Sequence, residues 1–169
     1  MQPLLTSEQI QSKVKELAGL IDEEYAGVPL LLICVLKGSL YFLADLSRYM
    51  EKEDVEIDFI QVSSYGNQKS SSGVVQIRKD LDTNIEGRHV LIVEDIVDTG
   101  TTLSHLRELL GTRKPQSLKV VTLLSKLAAR RVSVVVEHIG FEIDNLFVVG
   151  YGLDYGERYR SLPYIAILP

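Results

Sequence analysis

The chain has 169 residues, which suffice for one domain with a hydrophobic core but not for two domains of ordinary size. Apolar residues make up 46% of the sequence, the usual share for a globular protein, and the net charge is −5. Because binding to nucleic acid backbones needs a basic face, this charge argues against a nucleic-acid partner. The single cysteine, Cys34, lies in an apolar run, so we expect a buried thiol and no disulfide within the chain.

The sequence also carries no signal for membranes. No apolar run approaches the roughly 18 residues that a membrane-spanning helix needs. The first residues, Met1 to Leu5, lack the charged start and the long apolar stretch of a signal peptide. We therefore expect a cytoplasmic protein without a membrane partner.

The first half of the chain alternates helical and strand patterns. A capping sequence at Thr6 or Ser7, followed by apolar residues at helical spacing, predicts a helix that ends near Tyr25. The patterns that follow predict a strand at 30–36, a turn at 37–39, a helix at 40–50 and a strand at 55–63.

The second half continues this alternation after a polar segment at 64–73. The predicted strands are 74–77, 90–93, 117–124, 139–141 and 147–150, with a last apolar segment at 165–168. Helical patterns cover 103–110 and 127–131. Strands that alternate with helices predict an α/β fold with a mostly parallel twisted sheet flanked by helices. Ligands of such sheets bind at the carboxyl ends of the strands.

The most informative segment is 90–103, where an apolar run meets three carboxylates and a loop of small residues. Glu94, Asp95 and Asp98 are followed by Thr-Gly-Thr-Thr at 99–102 and then by a helix. Free N–H groups at the start of a helix form a cradle for an anion, which nearby carboxylates repel. We interpret the segment as a site for a ligand with a phosphate, hydroxyls and a divalent cation. An ordinary helix cap is the alternative, but a cap needs one acid rather than three.

This segment resembles the 5-phosphoribosyl-1-pyrophosphate (PRPP) signature of type I phosphoribosyltransferases. From Leu31 to Ile167, the order and spacing of motifs resemble the hypoxanthine-guanine branch of that family, in its short bacterial form. The resemblance implies a single domain at 1–169, with a core at about 8–145 and a small hood. The N-terminus and residues from about 146 to 169 would form the hood. Relatives are dimers or tetramers, so a homodimer or homotetramer is expected.

The resemblance also implies roles for the signature residues. Glu94 and Asp95 would hold the ribose hydroxyls, and Asp98 would act as the acid or base at purine N7. The 5′-phosphate would bind the loop residues Thr99, Gly100, Thr101 and Thr102. The implied cofactor is Mg²⁺, with Glu94, Asp95 and Asp154 as its carboxylates. Thr101 stands where some relatives have Lys or Leu, a position that offers mainly its backbone.

The pyrophosphate would bind a turn and two donors farther along the chain. The turn is Leu36, Lys37 and Gly38, whose Leu-Lys peptide is often cis in the family. Ser64 and Tyr65 would begin a mobile lid that excludes water and donates hydrogen bonds, and Arg160 would add a cation. By themselves these residues also read as an ordinary turn, a floppy loop and a surface charge.

The base would bind through Lys126, Phe147, Val148 and Asp154. Lys126 would donate to the exocyclic O6 of a purine, Phe147 would stack on the ring, and Val148 would bind its edge through backbone groups. The alternatives are a solvated lysine and a core phenylalanine. Residues 127–129 read Leu-Ala-Ala, where relatives commonly have a proline or hydroxyl residue, which could shift the base pocket slightly.

The expected activity is therefore transfer of the phosphoribosyl group of PRPP to a 6-oxopurine. Xanthine, another purine or a pyrimidine remain open as acceptors, as do a PRPP-sensing regulator and a generic mononucleotide-binding module. We expect the three histidines to be structural or exposed. The adjacent pair Arg130 and Arg131 is expected to form a solvated face or a subunit contact.

Overall fold

The computed structural model describes residues 1–64 and 75–169. Nine strands and three α-helices are described. They are β1 (Pro3–Leu5), α1 (Ser7–Glu24), β2 (Leu30–Leu36), α2 (Leu40–Tyr49), β3 (Val55–Ser64), β4 (Val75–Lys79), β5 (His89–Val97), α3 (Thr101–Gly111), β6 (Ser117–Ser125), β7 (His138–Glu142), β8 (Val148–Val149) and β9 (Ile165–Ile167). A 3-10 turn at Leu127–Ala129 follows β6.

Two sheets organise these elements. Six strands form one sheet in the order β4-β3-β2-β5-β6-β7, in which only β4 runs antiparallel to its neighbour. The predicted mostly parallel α/β sheet with flanking helices is therefore confirmed. A second, antiparallel sheet has the order β1-β9-β8 and joins the two ends of the chain.

The central strand β2 is buried on both faces, so its side chains alternate between two cores. Leu30, Leu32 and Cys34 pack with residues of α1 and α2, whereas Leu31 and Ile33 pack with residues of α3. A continuous apolar run is the usual sequence of such a strand. The buried thiol of Cys34 matches the prediction, and its burial, with Asp95 and Glu94 nearby, raises the pKa to about 12.

Helix α1 begins as its sequence predicts. The hydroxyl of Thr6 accepts a hydrogen bond from the N–H of Gln9, and the Gln9 side chain accepts one from the N–H of Thr6. This reciprocal capping box satisfies two N–H groups that have no partner within the helix. No helix among the described residues is long and apolar enough to cross a membrane.

Several boundaries differ from the sequence prediction. Strand β5 continues to Val97, because Glu94, Ile96 and Val97 still pair with Thr122, Leu124 and Ser125 of β6. Two of the three signature carboxylates therefore lie within the strand and not in the loop after it. Strand β1 was not predicted, since its three residues are held by β9, which lies about 160 residues later in the chain.

Candidate active site

A cavity of about 210 Å³ opens at the carboxyl ends of β2, β3 and β5. Signature residues supply most of its wall, and Val35 and Val62 are apolar neighbours from β2 and β3. The signature members are Glu94, Ile96, Val97, Asp98, Thr99, Gly100, Thr102 and Leu103. This is the edge at which parallel α/β sheets bind ligands. Two of the three histidines, His89 and His138, begin β5 and β7 at the opposite edge, and the third, His105, lies in α3.

The adjacent acids Glu94 and Asp95 point to opposite faces of β5. Glu94 lines the cavity on the α3 side, whereas Asp95 lies against Gly38 on the α2 side. Alternation along a strand imposes this separation. Burial raises the pKa of both carboxyls; the charge of Asp95 raises that of Glu94 further, and Asp154 acts in the same direction on Asp95. A cation nearby would therefore stabilise the ionised form of both carboxyls.

The loop between β5 and α3 has the conformation of an anion-binding nest. Gly100 has a φ of +85°, a left-handed conformation that suits glycine, and α3 begins at the next residue. A β-carbon at Gly100 would lie 3.0 Å from the carbonyl oxygen of Val132. Successive N–H groups beside a left-handed residue and a helix N-terminus point to one place, where they bind an anion.

Lys126 meets Asp98 beside this loop. The Lys126 side chain is 7% exposed, and its Nζ lies 3.5 Å from Oδ2 of Asp98, whose side chain is 50% exposed. The solvated lysine that the sequence left open is thus contradicted. The backbone N–H of Lys126 donates to the carbonyl of Val97 at 2.9 Å, which fixes the end of β6 to the end of β5.

The turn after β2 approaches both Asp95 and the second sheet. Its Leu36–Lys37 peptide is cis. A β-carbon at Gly38 would lie 1.8 Å from Oδ2 of Asp95, and one at Gly152 would lie 2.0 Å from the carbonyl oxygen of Gly38. Glycine is therefore needed at both positions for the turn, the acid and the segment at 150–153 to come together.

Arg160 and Lys37 share a carboxylate that sequence reasoning overlooked. Glu157 accepts from Lys37 Nζ and from Arg160 Nη2, each at 3.0 Å. Arg160 also donates to the carbonyl of Gly152 at 2.6 Å and lies 3.4 Å from Asp154. The side chains of Lys37 and Arg160, distant in sequence, thus face one point at the rim of the site, and no motif marks Glu157.

Phe147 is exposed and not part of the core, which contradicts the core alternative. Its side chain is 53% exposed and meets the ring of Tyr155 edge to face, with the centroids 5.9 Å apart. Val148, its neighbour in β8, is buried in the core. An exposed aromatic ring of this kind offers a face on which a base stacks.

Two predicted residues have less structural information. Ser64 is the last residue of β3, and its side chain is not described. Tyr65 lies outside the described residues, as does the rest of the polar segment to residue 74.

The solvated face expected for the pair Arg130 and Arg131 is contradicted for Arg130, whereas a subunit contact stays a prediction. Its guanidinium donates to the carbonyls of Val97 and Asp98 at 2.8 Å each, and to Oγ of Ser125 at 2.8 Å. It therefore lies behind the signature loop and does not form a solvated face. A pair of arginines on a sequence gives no sign of this, because its partners are backbone carbonyls.

The comparison with protein families decides which of the possible uses of this geometry applies. The family model described as "Phosphoribosyl transferase domain" matches residues 3–156. The chain belongs to this family. Its recognition from the signature segment and the predicted fold class are both confirmed.

Individual relatives of this phosphoribosyltransferase extend the match over nearly the whole chain. The hypoxanthine-guanine phosphoribosyltransferase of Bacillus subtilis (strain 168) is 53% identical over 165 residues, which cover 98% of this chain and 91% of that protein. The bifunctional protein TilS/HprT of Listeria innocua is 50% identical over 165 residues, and there the chain spans 25% of the relative.

A solved structure agrees with the phosphoribosyltransferase fold over its full length. It is a hypoxanthine-guanine phosphoribosyltransferase from Bacillus anthracis with a HEPES molecule in its active site. The two structures have a TM-score of 0.96 at 47% identity, covering 100% of this chain and 99% of the other.

Replacing Gly152 should disturb the contact between the two sheets. In Gly152→Ala, the new β-carbon would meet the Gly38 carbonyl at 2.0 Å from a backbone with φ of +98°. We expect the free energy of unfolding to fall by about 1–3 kcal/mol, from overpacking and backbone strain. Urea denaturation measures it.

Gly19→Ala is the matched control. Gly19 is exposed within α1, and a β-carbon there meets nothing within 4 Å. Its replacement should raise the free energy of unfolding by about 0.5–1 kcal/mol. Equal stability of Gly152→Ala and the parent protein would contradict the contact.

Proposed function

We propose that this phosphoribosyltransferase transfers the 5-phosphoribosyl group of PRPP to N9 of hypoxanthine or guanine. The products are IMP or GMP and pyrophosphate, and the role is purine salvage. The observation that carries the proposal is the buried Lys126 beside Asp98 at the signature loop. A cation there favours a base with an oxo group at C6, because ammonium donates hydrogen bonds and cannot accept them from an amino group. The names of the relatives support the same acceptors.

Different signature residues bind the phosphate and the hydroxyls of the ribose phosphate. The N–H groups and hydroxyls of Thr99, Gly100, Thr101 and Thr102 bind the 5′-phosphate. Glu94 and Asp95 hold the ribose hydroxyls from the two faces of β5. Positioning and charge compensation of this kind stabilise an oxocarbenium-like transition state at C1′.

Asp98 accepts the proton that leaves N7 of the purine. The bond from C1′ to pyrophosphate breaks as the bond from C1′ to N9 forms, and the proton at N7 passes to the Asp98 carboxylate. Lys126 holds O6 of the purine. The exposed ring of Phe147 stacks on the base, a contact worth about 1–3 kcal/mol, and backbone groups of Val148 bind its edge.

The leaving pyrophosphate binds at the rim that Lys37 and Arg160 face. The turn of Leu36, Lys37 and Gly38 offers backbone groups there, and guanidinium donates two parallel hydrogen bonds to phosphate. Ser64 and Tyr65 stay predicted donors to the same group on the strength of the resemblance.

The carboxylates of the site fit Mg²⁺. Within residues 1–64 and 75–169, no cluster of three His, Cys, Asp or Glu is placed to hold a metal. Mg²⁺ needs fewer, since one or two carboxylates usually bind it together with substrate phosphates and water. The raised pKa values of Glu94 and Asp95 fit a cation that arrives with PRPP, with Asp154 as a further ligand. Such an ion neutralises the charge of the departing pyrophosphate.

The wider organisation belongs to the same proposal. The two sheets support a division into a core at about 8–145 and a hood from the N-terminus and residues 146–169. A homodimer or homotetramer and a cytoplasmic location are proposed from the resemblance.

One assay tests the activity. The protein is incubated with PRPP, Mg²⁺ and one base at a time, and nucleotide formation is followed by absorbance. We expect product from hypoxanthine, guanine or both, and none from adenine; xanthine is the third arm and ranks the 6-oxopurines. Absence of product from every 6-oxopurine would overturn the proposal.

Asp98→Ala should lower turnover far more than PRPP affinity. Loss of a positioned acid or base typically costs about 10²- to 10⁴-fold in rate, whereas the loop that binds the phosphate keeps its backbone. Steady-state kinetics give kcat, and titration gives the dissociation constant of PRPP. The control is Asp82→Asn, an 88% exposed carboxylate away from the site. An unchanged kcat would remove Asp98 from the mechanism.

Glu157→Gln should strengthen the binding of pyrophosphate. The Glu157 carboxylate forms ion pairs with Lys37 and Arg160, so a pyrophosphate that binds these two cations must displace it. Removing its charge weakens its hold on both cations, and we expect the inhibition constant of pyrophosphate to fall about two- to tenfold, the range for the loss of two surface ion pairs. Product inhibition measures it, with the exposed Glu16→Gln as control. Weaker inhibition would mean that Glu157 helps to hold the anion.

A further inference from the structure

Three consecutive carbonyl groups of the signature loop accept hydrogen bonds from one short segment, residues 130–131. Arg130 Nη1 donates to the carbonyls of Val97 and Asp98 at 2.8 Å each. The backbone N–H of Arg131 donates to the next carbonyl, that of Thr99, also at 2.8 Å. Three consecutive peptide groups are thus fixed by the residues that follow the 3-10 turn.

Fixing a carbonyl also fixes the N–H group of the next residue. Across a planar trans peptide the C=O and the following N–H point in opposite directions. Because the carbonyls of residues 97, 98 and 99 face Arg130 and Arg131, the N–H groups of residues 98, 99 and 100 face the other way. Asp98, Thr99 and Gly100 line the cavity.

Those N–H groups are not used by hydrogen bonds within the described parts of the chain. Within the described parts of the chain, no oxygen accepts from the N–H groups of Thr99 and Gly100, and no side chain caps α3 at Gly100. These N–H groups line the cavity beside the N-terminus of α3, an arrangement that suits an anion.

The guanidinium itself is rigidly placed. Nη2 donates to Oγ of Ser125, a fully buried residue at the end of β6, at 2.8 Å. The Arg130 stem also lies against the loop, since a β-carbon at Gly100 would be 3.1 Å from its Cδ. A planar fork with several donors can serve two carbonyls and a hydroxyl together, which the ammonium of lysine cannot reproduce.

We propose that Arg130 is a positioning residue that turns the signature loop toward the 5′-phosphate of PRPP and of the nucleotide product. It acts through the carbonyls of Val97 and Asp98 and does not touch the substrate. Its charge behind the loop adds to the attraction for the phosphate. This inference rests on the proposed function, in which the loop binds that phosphate.

The test compares ligands that differ only in the 5′-phosphate. Calorimetric titration gives the dissociation constants of IMP and inosine for the parent protein, Arg130→Met and Arg130→Lys. Met keeps an unbranched apolar stem against Gly100 but has no donors; Lys keeps the charge but not the fork. Arg48→Met, a 78% exposed arginine on α2, controls for loss of charge.

We expect Arg130→Met to bind IMP about 10- to 100-fold more weakly, as for loss of one or two charge-assisted hydrogen bonds, with inosine changed less than twofold. Arg130→Lys should be intermediate, and Arg48→Met should match the parent. The KM for PRPP should rise in Arg130→Met, while the KM for hypoxanthine stays within twofold.

The outcomes separate this inference from the proposed function. Equal weakening of IMP and inosine in Arg130→Met would show a general structural role and overturn the inference, as would unchanged IMP binding. If Arg130→Met does not fold by circular dichroism, Arg130→Lys decides by the same ratio of IMP to inosine affinity. Failure of the parent protein to bind IMP would instead contradict the proposed function.

Discussion

The site depends on how charge is balanced at the carboxyl end of β5. Glu94 and Asp95 are neighbours on one strand, and burial raises the pKa of each because the ionised form loses water. Their side chains leave the strand on opposite faces, so different neighbouring groups balance the charge of each carboxylate. On the α3 face lie the N–H groups of the loop; on the other, the charge of Arg160 favours ionised Asp95. In the proposed function, a phosphate binds on one side and a pyrophosphate on the other, and the alternation of a single strand separates the two anionic ends of PRPP.

The contact between the two sheets brings the parts of the site together. The Gly38 carbonyl lies so close to Gly152 that the two turns leave no room for a side chain between them. Arg160 strengthens this link, since it donates to the Gly152 carbonyl while facing Glu157. The exposed Phe147 directly precedes β8 of the same small sheet. Residues proposed for the base and for the pyrophosphate are thus placed next to each other by one short contact between the two sheets.

Local sequence was sufficient for the elements that local physics determines. The capping box at Thr6, the doubly buried strand at 30–36 and the nest at Gly100 each follow from a few adjacent residues, and each is present. The prediction failed where the partner is far along the chain. β1 exists only because β9 pairs with it, β5 is lengthened by β6, and Arg130 was misjudged because its partners are backbone carbonyls. Glu157 was overlooked for a similar reason: its importance comes from two cations more than a hundred residues apart in sequence.

The small sheet also has a consequence for modified forms of the protein. Pro3 and Leu5 pair with Ala166 and Ile165, so both ends of the chain leave from the same three strands. Near the carboxyl end, the N–H of Leu168 donates to the carbonyl of Phe147 at 3.0 Å. A purification tag or fused domain joined after Pro169 would therefore follow closely on a residue that is hydrogen-bonded to the backbone of Phe147, whose ring is proposed to stack on the base. A spacer between the fusion and Pro169 would keep added residues away from the three strands that hold both chain ends.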